Sequence, residues 1–115
     1  MSLESDRAEG PESFRCEVQP ERGAARVFAV GSLDIATVEV LDAQLRELRE
    51  AGFRRLIVDL GRLRFMDSTG LRLLLKWDAA ARGDGYAIEV APGPPAVQRL
   101  FEITGSLDLL RFTSG

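Results

Sequence analysis

The stretch Leu60-Gly-Arg-Leu-Arg-Phe-Met-Asp-Ser-Thr-Gly-Leu71 joins a predicted buried strand to a predicted amphipathic helix. The strand, residues 54–60, contains a short apolar run interrupted only by Asp59, which is typical of a central strand covered on both faces. The helix is predicted from about Ser68 to Arg82, with an apolar stripe of Leu71, Leu74 and Leu75 that Ala79 continues. A serine hydroxyl therefore lies at a helix N-terminus, where free backbone N–H groups and the helix dipole favour negative charge.

The residues before this stretch predict a β-hairpin followed by a first helix. Residues 14–19 alternate between apolar and polar side chains, turn residues occupy 20–24, and 25–31 forms the second arm. The helix is predicted to start after Thr37 as N-cap and to end near Gly52, which suits a left-handed cap. Its apolar stripe consists of Val38, Leu41, Leu45 and Leu48.

The residues after the second helix predict another strand, 86–91, and a third helix that Pro94-Pro95 opens and Gly105 ends. The side chains predicted to face inward from this helix are Val97, Leu100, Phe101 and Thr104. The last apolar segment, 107–112, is compatible with a strand or a helix. Strands that alternate with helices favour an α/β layer fold with parallel strands at its centre.

Size and charge limit the classes of function. The 115 residues favour one domain, which we place at residues 13–115 after a flexible polar tail at 1–12. The net charge of -3 provides no basic surface for nucleic acid. The apolar runs are far shorter than the roughly 20 residues that cross a bilayer. The polar, acidic N-terminus is unlike a signal peptide, so we expect a cytoplasmic protein that binds neither nucleic acid nor membrane.

The chain has one cysteine, Cys16, and no histidine. A single cysteine forms no intrachain disulfide, which fits a reducing compartment, and its position in a strand favours a packed thiol over a reactive one. The absence of histidine removes the commonest general base and metal ligand. We therefore predict no enzymatic activity, no cofactor and no metal site.

Ser68 allows three interpretations. The first is structural, because Asp, Ser and Thr are common helix caps and Asp67-Ser-Thr-Gly70 needs no further role to be explained. The second is a phosphoacceptor, because the helix dipole and free N–H groups offset the cost of the added charge. The third, a catalytic nucleophile, is disfavoured because Met66 stands where the nucleophile elbow requires glycine.

Three segments of the chain resemble a STAS domain of the anti-sigma factor antagonist type. They are Gly31-Ser-Leu-Asp34, Leu56-Ile-Val-Asp-Leu60 and Phe65-Met-Asp-Ser-Thr-Gly-Leu71, and the helix from Pro94 to Gly105 is also similar. The resemblance covers residues 14–112. It implies a mixed sheet of four to five strands with helices packed mainly on one face.

The same resemblance implies roles for individual residues. Ser68 matches a serine phosphorylated by the partner, an anti-sigma factor that is also a serine kinase; a separate serine phosphatase reverses the modification. Unmodified, such an antagonist binds the anti-sigma factor and frees the sigma factor. Asp34 and Asp67 would flank the acceptor, while Thr69 and Gly70 would shape the helix start. Thr69 ranks below Ser68 as a second acceptor.

The second helix has a flank that we expect to be exposed and to contact a partner. It contains Arg72, Leu73, Lys76 and Trp77, although Trp77 is equally compatible with packing in the core. Arg62 and Arg64 are predicted to be solvated loop charges. The alternative function is a STAS module of a lipid or anion transport assembly, since one fold serves several functions. A homodimer through an edge strand of the hairpin stays open.

Overall fold

The computed structural model describes residues 14–113, so the predicted tail at 1–12 lies outside the described residues. Within that range the chain forms five strands and three α-helices, followed by a 3-10 turn at Leu107–Leu109. In chain order the elements are β1 (Arg15–Glu21), β2 (Ala24–Leu33), α1 (Val38–Glu50), β3 (Arg55–Asp59), β4 (Leu63–Met66), α2 (Ser68–Asp84), β5 (Ala87–Ala91) and α3 (Pro95–Thr104). No described helix has the length and apolar composition needed to cross a bilayer.

The long strand β2 contacts most of the five-stranded mixed sheet. Four strands lie in the order β1-β2-β3-β5, and β4 lies off this path, paired with β2. β2 pairs antiparallel with β1 through the predicted hairpin, and its first half pairs parallel with β3. Its last residues pair parallel with β4, after a register shift between Gly31 and Ser32. Gly31 has φ +110°, a conformation that glycine adopts without steric cost, which allows the strand to change partner there.

β4 was not predicted. Its four residues, Leu63–Met66, show no alternation of apolar and polar side chains, and they depend on β2 for their hydrogen bonds. The prediction that Arg62 and Arg64 are solvated loop charges is therefore right about their exposure and wrong about the loop for Arg64. Arg64 lies inside the strand, whereas Arg62 donates to Glu17 Oε1 at 2.8 Å and lies 4.2 Å from the centre of the Phe28 ring.

The predicted packing of helices on one face of a mixed sheet is confirmed. All three helices share one core cluster with alternate residues of the parallel strands, such as Val27 of β2 and Leu56 and Val58 of β3. Ile57 points to the other face, where it is 1% exposed and packs with Ala24 and Ala91. β3 is therefore covered on both faces, as its continuous apolar run predicted.

Ion pairs cover the face of the sheet that has no helices. Arg26 donates to Glu21 at 2.8 Å and to Asp59 at 2.7 Å, so it links three strands. The hydrogen bond that Arg26 donates to Glu21 is the largest cause of the raised pKa of Arg26. Asp59, the one charge in the β3 run, therefore has a partner next to it in the sheet.

The predicted inward faces need small corrections. In α1 the buried leucines are those predicted, and Val38 is half-buried. In α2 Ala81 is buried and Ala79 is exposed, because Ala81 lies seven residues after buried Leu74 on the same helix face and Ala79 does not. Thr104 is also exposed and bonds the Leu100 carbonyl. The final segment contains the 3-10 turn and a single parallel bridge from Val90 to Phe112.

Cys16 provides a test of this packing. It is half-buried against the core, and burial raises the pKa of its thiol to about 11. Because the thiolate is the reactive form, alkylation of the folded protein near pH 8 is expected to be about 100-fold slower than in denaturant. The measurement is the rate of iodoacetamide labelling followed by mass spectrometry. Equal rates in the two conditions would show that Cys16 is not packed.

Candidate functional site

The helix start at Ser68 is organised by Asp67. Asp67 has extended backbone angles, and its Oδ1 accepts hydrogen bonds from the N–H groups of Thr69 (2.8 Å) and Gly70 (3.4 Å). Its own N–H donates to the Leu33 carbonyl at 3.1 Å, which attaches the start of α2 to the end of β2. The capping role that the sequence left open among three residues therefore belongs to Asp67.

Ser68 is the first residue of α2 and is exposed. Within residues 14–113 its hydroxyl has no hydrogen-bond partner, so it contributes no cap. The chain contains no histidine to act as its base. The arrangement leaves an accessible hydroxyl at the first position of the helix.

Gly70 determines how closely α2 approaches the sheet. A Cβ atom at this buried position would lie 2.8 Å from Met66 Cγ and 2.9 Å from Leu33 Cδ2. Both of those side chains are core residues with little freedom to move. Thr69, beside it, is half-buried and has its N–H bonded to Asp67.

Asp34 lies in the loop between β2 and α1, at the same edge of the sheet as Ser68. The two residues follow β2 and β4, which are parallel neighbours and end side by side. The Asp34 carboxylate accepts from the Ala36 N–H at 3.0 Å and from the Thr37 hydroxyl at 3.3 Å. Thr37 holds the predicted N-cap position, but its hydroxyl donates to the Ser32 carbonyl at 2.8 Å rather than capping α1.

A shallow depression of about 250 Å³, which we call the α1–α2 groove, extends along the helices from this edge. It is lined by Val38, Glu39, Asp42, Thr69, Arg72, Leu73 and Lys76. An adjoining depression of about 220 Å³ shares Asp42 and Lys76 with it and continues toward Tyr86. The groove thus brings together four of the residues predicted for partner contact.

The prediction of a fully exposed flank on α2 is wrong at Leu73. Leu73 and Trp77 are each 8% exposed and belong to the core cluster, which decides the open question on Trp77 in favour of packing. Trp77 Nε1 donates to Asp42 Oδ1 of α1 at 2.8 Å. Because α2 contacts both the sheet and α1, its buried surface is wider than a single stripe. Arg72 and Lys76 are exposed as expected.

Two exposed apolar residues beside the site were missed. Ile35 is 79% exposed directly after Asp34, and Phe65 is 51% exposed three residues before Ser68. Large apolar side chains at the same edge as a free hydroxyl favour contact with another protein. The available signal was that neither residue fits the apolar stripe of a neighbouring element.

The acidic residues of this edge do not form a metal site. Among residues 14–113 no group of three or more cysteine, aspartate or glutamate side chains is placed to hold a metal ion. Asp34 and Asp67 instead bond the backbone of their own loops.

Comparison with known proteins gives a consistent set of relatives. The family model described as "Mlab, STAS domain" matches residues 16–111. The anti-sigma-B factor antagonist of Staphylococcus aureus is 35% identical over 85 residues, covering 74% of this chain and 79% of that protein. An anti-sigma factor antagonist from Mycobacterium paratuberculosis has a similar fold, with a TM-score of 0.77 at 23% identity, covering 92% of this chain and 90% of that one.

A further solved structure is the Bacillus cell fate determinant SpoIIAA in its phosphorylated form. Its TM-score is 0.64 at 22% identity, and the match covers 88% of this chain and 91% of that chain. At these identities the two solved structures establish the fold.

Unfolding experiments can test whether Asp67 caps α2 and the Ser68 hydroxyl does not. Asp67→Ala removes the acceptor for two N–H groups and is expected to lower the free energy of unfolding by about 1 kcal/mol. Ser68→Ala removes an unbonded hydroxyl and should change it by less than about 0.5 kcal/mol. Urea titration of both variants measures the difference. A larger loss for Ser68→Ala would assign the cap to the serine.

Gly70 and Gly83 form a matched pair for testing the close approach of α2. Gly70→Ala should lower the free energy of unfolding by about 1 to 2 kcal/mol, because overpacking exceeds the gain in helix propensity. Gly83 lies in the same helix, and a Cβ there would meet nothing within 4 Å. Gly83→Ala should therefore stabilise the protein by up to about 1 kcal/mol. Thermal unfolding of both variants is the measurement, and equal stability would refute the steric argument.

Proposed function

Because this chain belongs to the STAS domain family, in its anti-sigma factor antagonist type, we propose that it controls a sigma factor by partner switching. In its unmodified form it binds an anti-sigma factor that is also a serine kinase, and the sigma factor is released. Phosphorylation of Ser68 ends this complex, and a serine phosphatase restores the antagonist. We place the cycle in the cytoplasm, where sigma factors act.

The observation that carries this proposal is the state of Ser68. Its hydroxyl is exposed at the first position of α2, while Asp67 holds the cap. A kinase can therefore reach the hydroxyl without unwinding the helix. The modification leaves the hydrogen bonds of the helix start in place, so the scaffold remains folded in both states.

The chemical step takes place in the partner's active site. Ser68 Oγ forms a bond to the γ-phosphorus of ATP as the bond between that phosphorus and the ADP oxygen breaks. The hydroxyl proton passes to a base of the kinase, and ADP leaves. This chain acts as the substrate and provides only the position of the Ser68 hydroxyl, in agreement with its lack of histidine.

Loss of binding follows from the charge of the product. A phosphoserine carries close to two negative charges near neutral pH. The surface around Ser68 includes the exposed apolar side chains Ile35 and Phe65, which we propose are buried in the complex. Burying a dianion beside them is costly unless the partner offers matched cations, so the modified surface dissociates.

The partner surface proposed here extends from this edge along the α1–α2 groove. It comprises Asp34, Asp67, Thr69, Gly70, Arg72, Leu73 and Lys76, with buried Gly70 and Leu73 contributing shape. Support comes from the Staphylococcus aureus relative, which is named an anti-sigma-B factor antagonist, and from SpoIIAA, which has a phosphorylated form.

The test is phosphate transfer from ATP by the partner proposed here, an anti-sigma factor with serine kinase activity. One phosphate is expected on the wild-type protein, located at Ser68 by mass spectrometry, and none on Ser68→Ala. Thr69→Val serves as the matched control and should be labelled like wild type. Labelling of Ser68→Ala at the wild-type level would reject the site.

Binding of the same partner tests the switch separately. Ser68→Ala should bind it as wild type does, whereas Ser68→Asp should bind at least about tenfold more weakly, equivalent to roughly 1.4 kcal/mol. Equal affinities would reject switching by charge. Co-purification with an ATPase subunit of a transport assembly, in place of the kinase, would favour the alternative of a transport module.

A further inference from the structure

The backbone N–H groups of the three residues after Ser68 already have acceptors. Those of Thr69 and Gly70 donate to the Asp67 carboxylate, and that of Leu71 donates to the Asp67 carbonyl at 3.3 Å. The sequence predicted that such groups would offset a phosphate on Ser68. In the folded chain these N–H groups are bonded to Asp67, so a group that compensates the charge of a phosphate would have to be found elsewhere.

Arg72 is the cation placed to provide it. It lies one helical turn after Ser68, and residues four apart on a helix are neighbours on one face. Arg72 lines the α1–α2 groove, and because helical side chains lean toward the N-terminus, its guanidinium can reach a group on Ser68. An acidic group followed by a basic group at this spacing is the favourable order with respect to the helix dipole.

Arg72 is also available to contact an anion on Ser68. It is exposed, and within the described part of the chain it has neither an ion pair nor a hydrogen bond. Other arginines of this protein do bond a carboxylate four residues earlier: Arg82 donates to Asp78 in the same helix at 2.8 Å, and Arg46 bonds Asp42 in α1. At Arg72 the residue four positions earlier is Ser68, which becomes an anion only when modified.

We propose that Arg72 binds the phosphate of phosphorylated Ser68 within the same chain. The inference rests on the proposed function, since it concerns the modified state of the same serine. The guanidinium donates two N–H groups to phosphate oxygens, a stronger contact than an ammonium makes. Phosphorylation then changes the partner surface twice, because it adds a dianion and also withdraws the Arg72 cation from the α1–α2 groove.

The experiment uses the full chain with phosphoserine installed at position 68 during translation by an expanded genetic code. Titration by phosphorus NMR gives the second pKa of the phosphate, which is near 6 for free phosphoserine. A nearby guanidinium favours the dianion and lowers this pKa. We expect this pKa to be lower by about 0.3 in the otherwise wild-type chain than in the Arg72→Gln chain.

Arg22→Gln is the matched control for the loss of one positive charge. Arg22 is likewise exposed and has no ion pair within residues 14–113, and it lies in the hairpin turn at the opposite end of β2. The phosphate in the Arg22→Gln chain should titrate as in wild type. Both substitutions replace exposed arginines, so thermal unfolding of the unmodified variants should agree with wild type.

Two outcomes would overturn the proposal. One is a phosphate pKa that is the same with and without Arg72, and the other is an equal rise in the Arg22→Gln chain, which would indicate long-range charge alone. Because the phosphate is installed without a kinase, this result is independent of the labelling experiment with ATP. A lowered pKa together with failed labelling by the partner would reject the switch but retain the contact.

Discussion

The pairing of β2 with three other strands is the constraint on which the rest of this molecule depends. Its first half holds β3 in the centre of the sheet, and its last residues hold β4, the strand that leads into α2. The change of partner occurs at Gly31, whose positive φ permits it. From the end of β2, the Leu33 carbonyl accepts the Asp67 N–H, so the first residue of α2 is placed relative to the sheet by a backbone contact. Gly70 then lets the helix lie close against Leu33 and Met66.

The residues that hold α2 in place are different from the exposed polar residues at its start. Asp67 satisfies the helix start, Gly70 provides the approach, and Trp77 ties α2 to α1 through Asp42. Ser68 is left with no structural task, and so is Arg72 one turn later. Residues that hold the fold are therefore interleaved with exposed residues that take no part in these contacts. Because the two sets do not share hydrogen bonds, a change in one need not be transmitted to the other.

Local patterns were sufficient to predict most of the elements, because the residues that define them lie close together in sequence. The leucine stripe of α1 and the positive φ of Gly52 and Gly105 follow from helix periodicity and capping alone. β4 could not be found in this way, since a four-residue strand has no pattern apart from its partner. The burial of Leu73 and Trp77 depends on α1, whose position is a tertiary property. At the site, the motif located Ser68, while the assignment of the cap to Asp67 required backbone geometry.

The length of β2 has a practical consequence for anyone who wishes to observe this domain at work. The strand has ten residues, with the hairpin turn at Arg22 and Gly23 before it and the Ser68 edge after it. At about 3.3 Å per residue the two ends are roughly 30 Å apart. A fluorophore or a small fused reporter inserted at the hairpin tip would lie across the molecule from the edge where we propose that partners dock. The domain could thus carry a sensor in living cells without a loss of access to its serine.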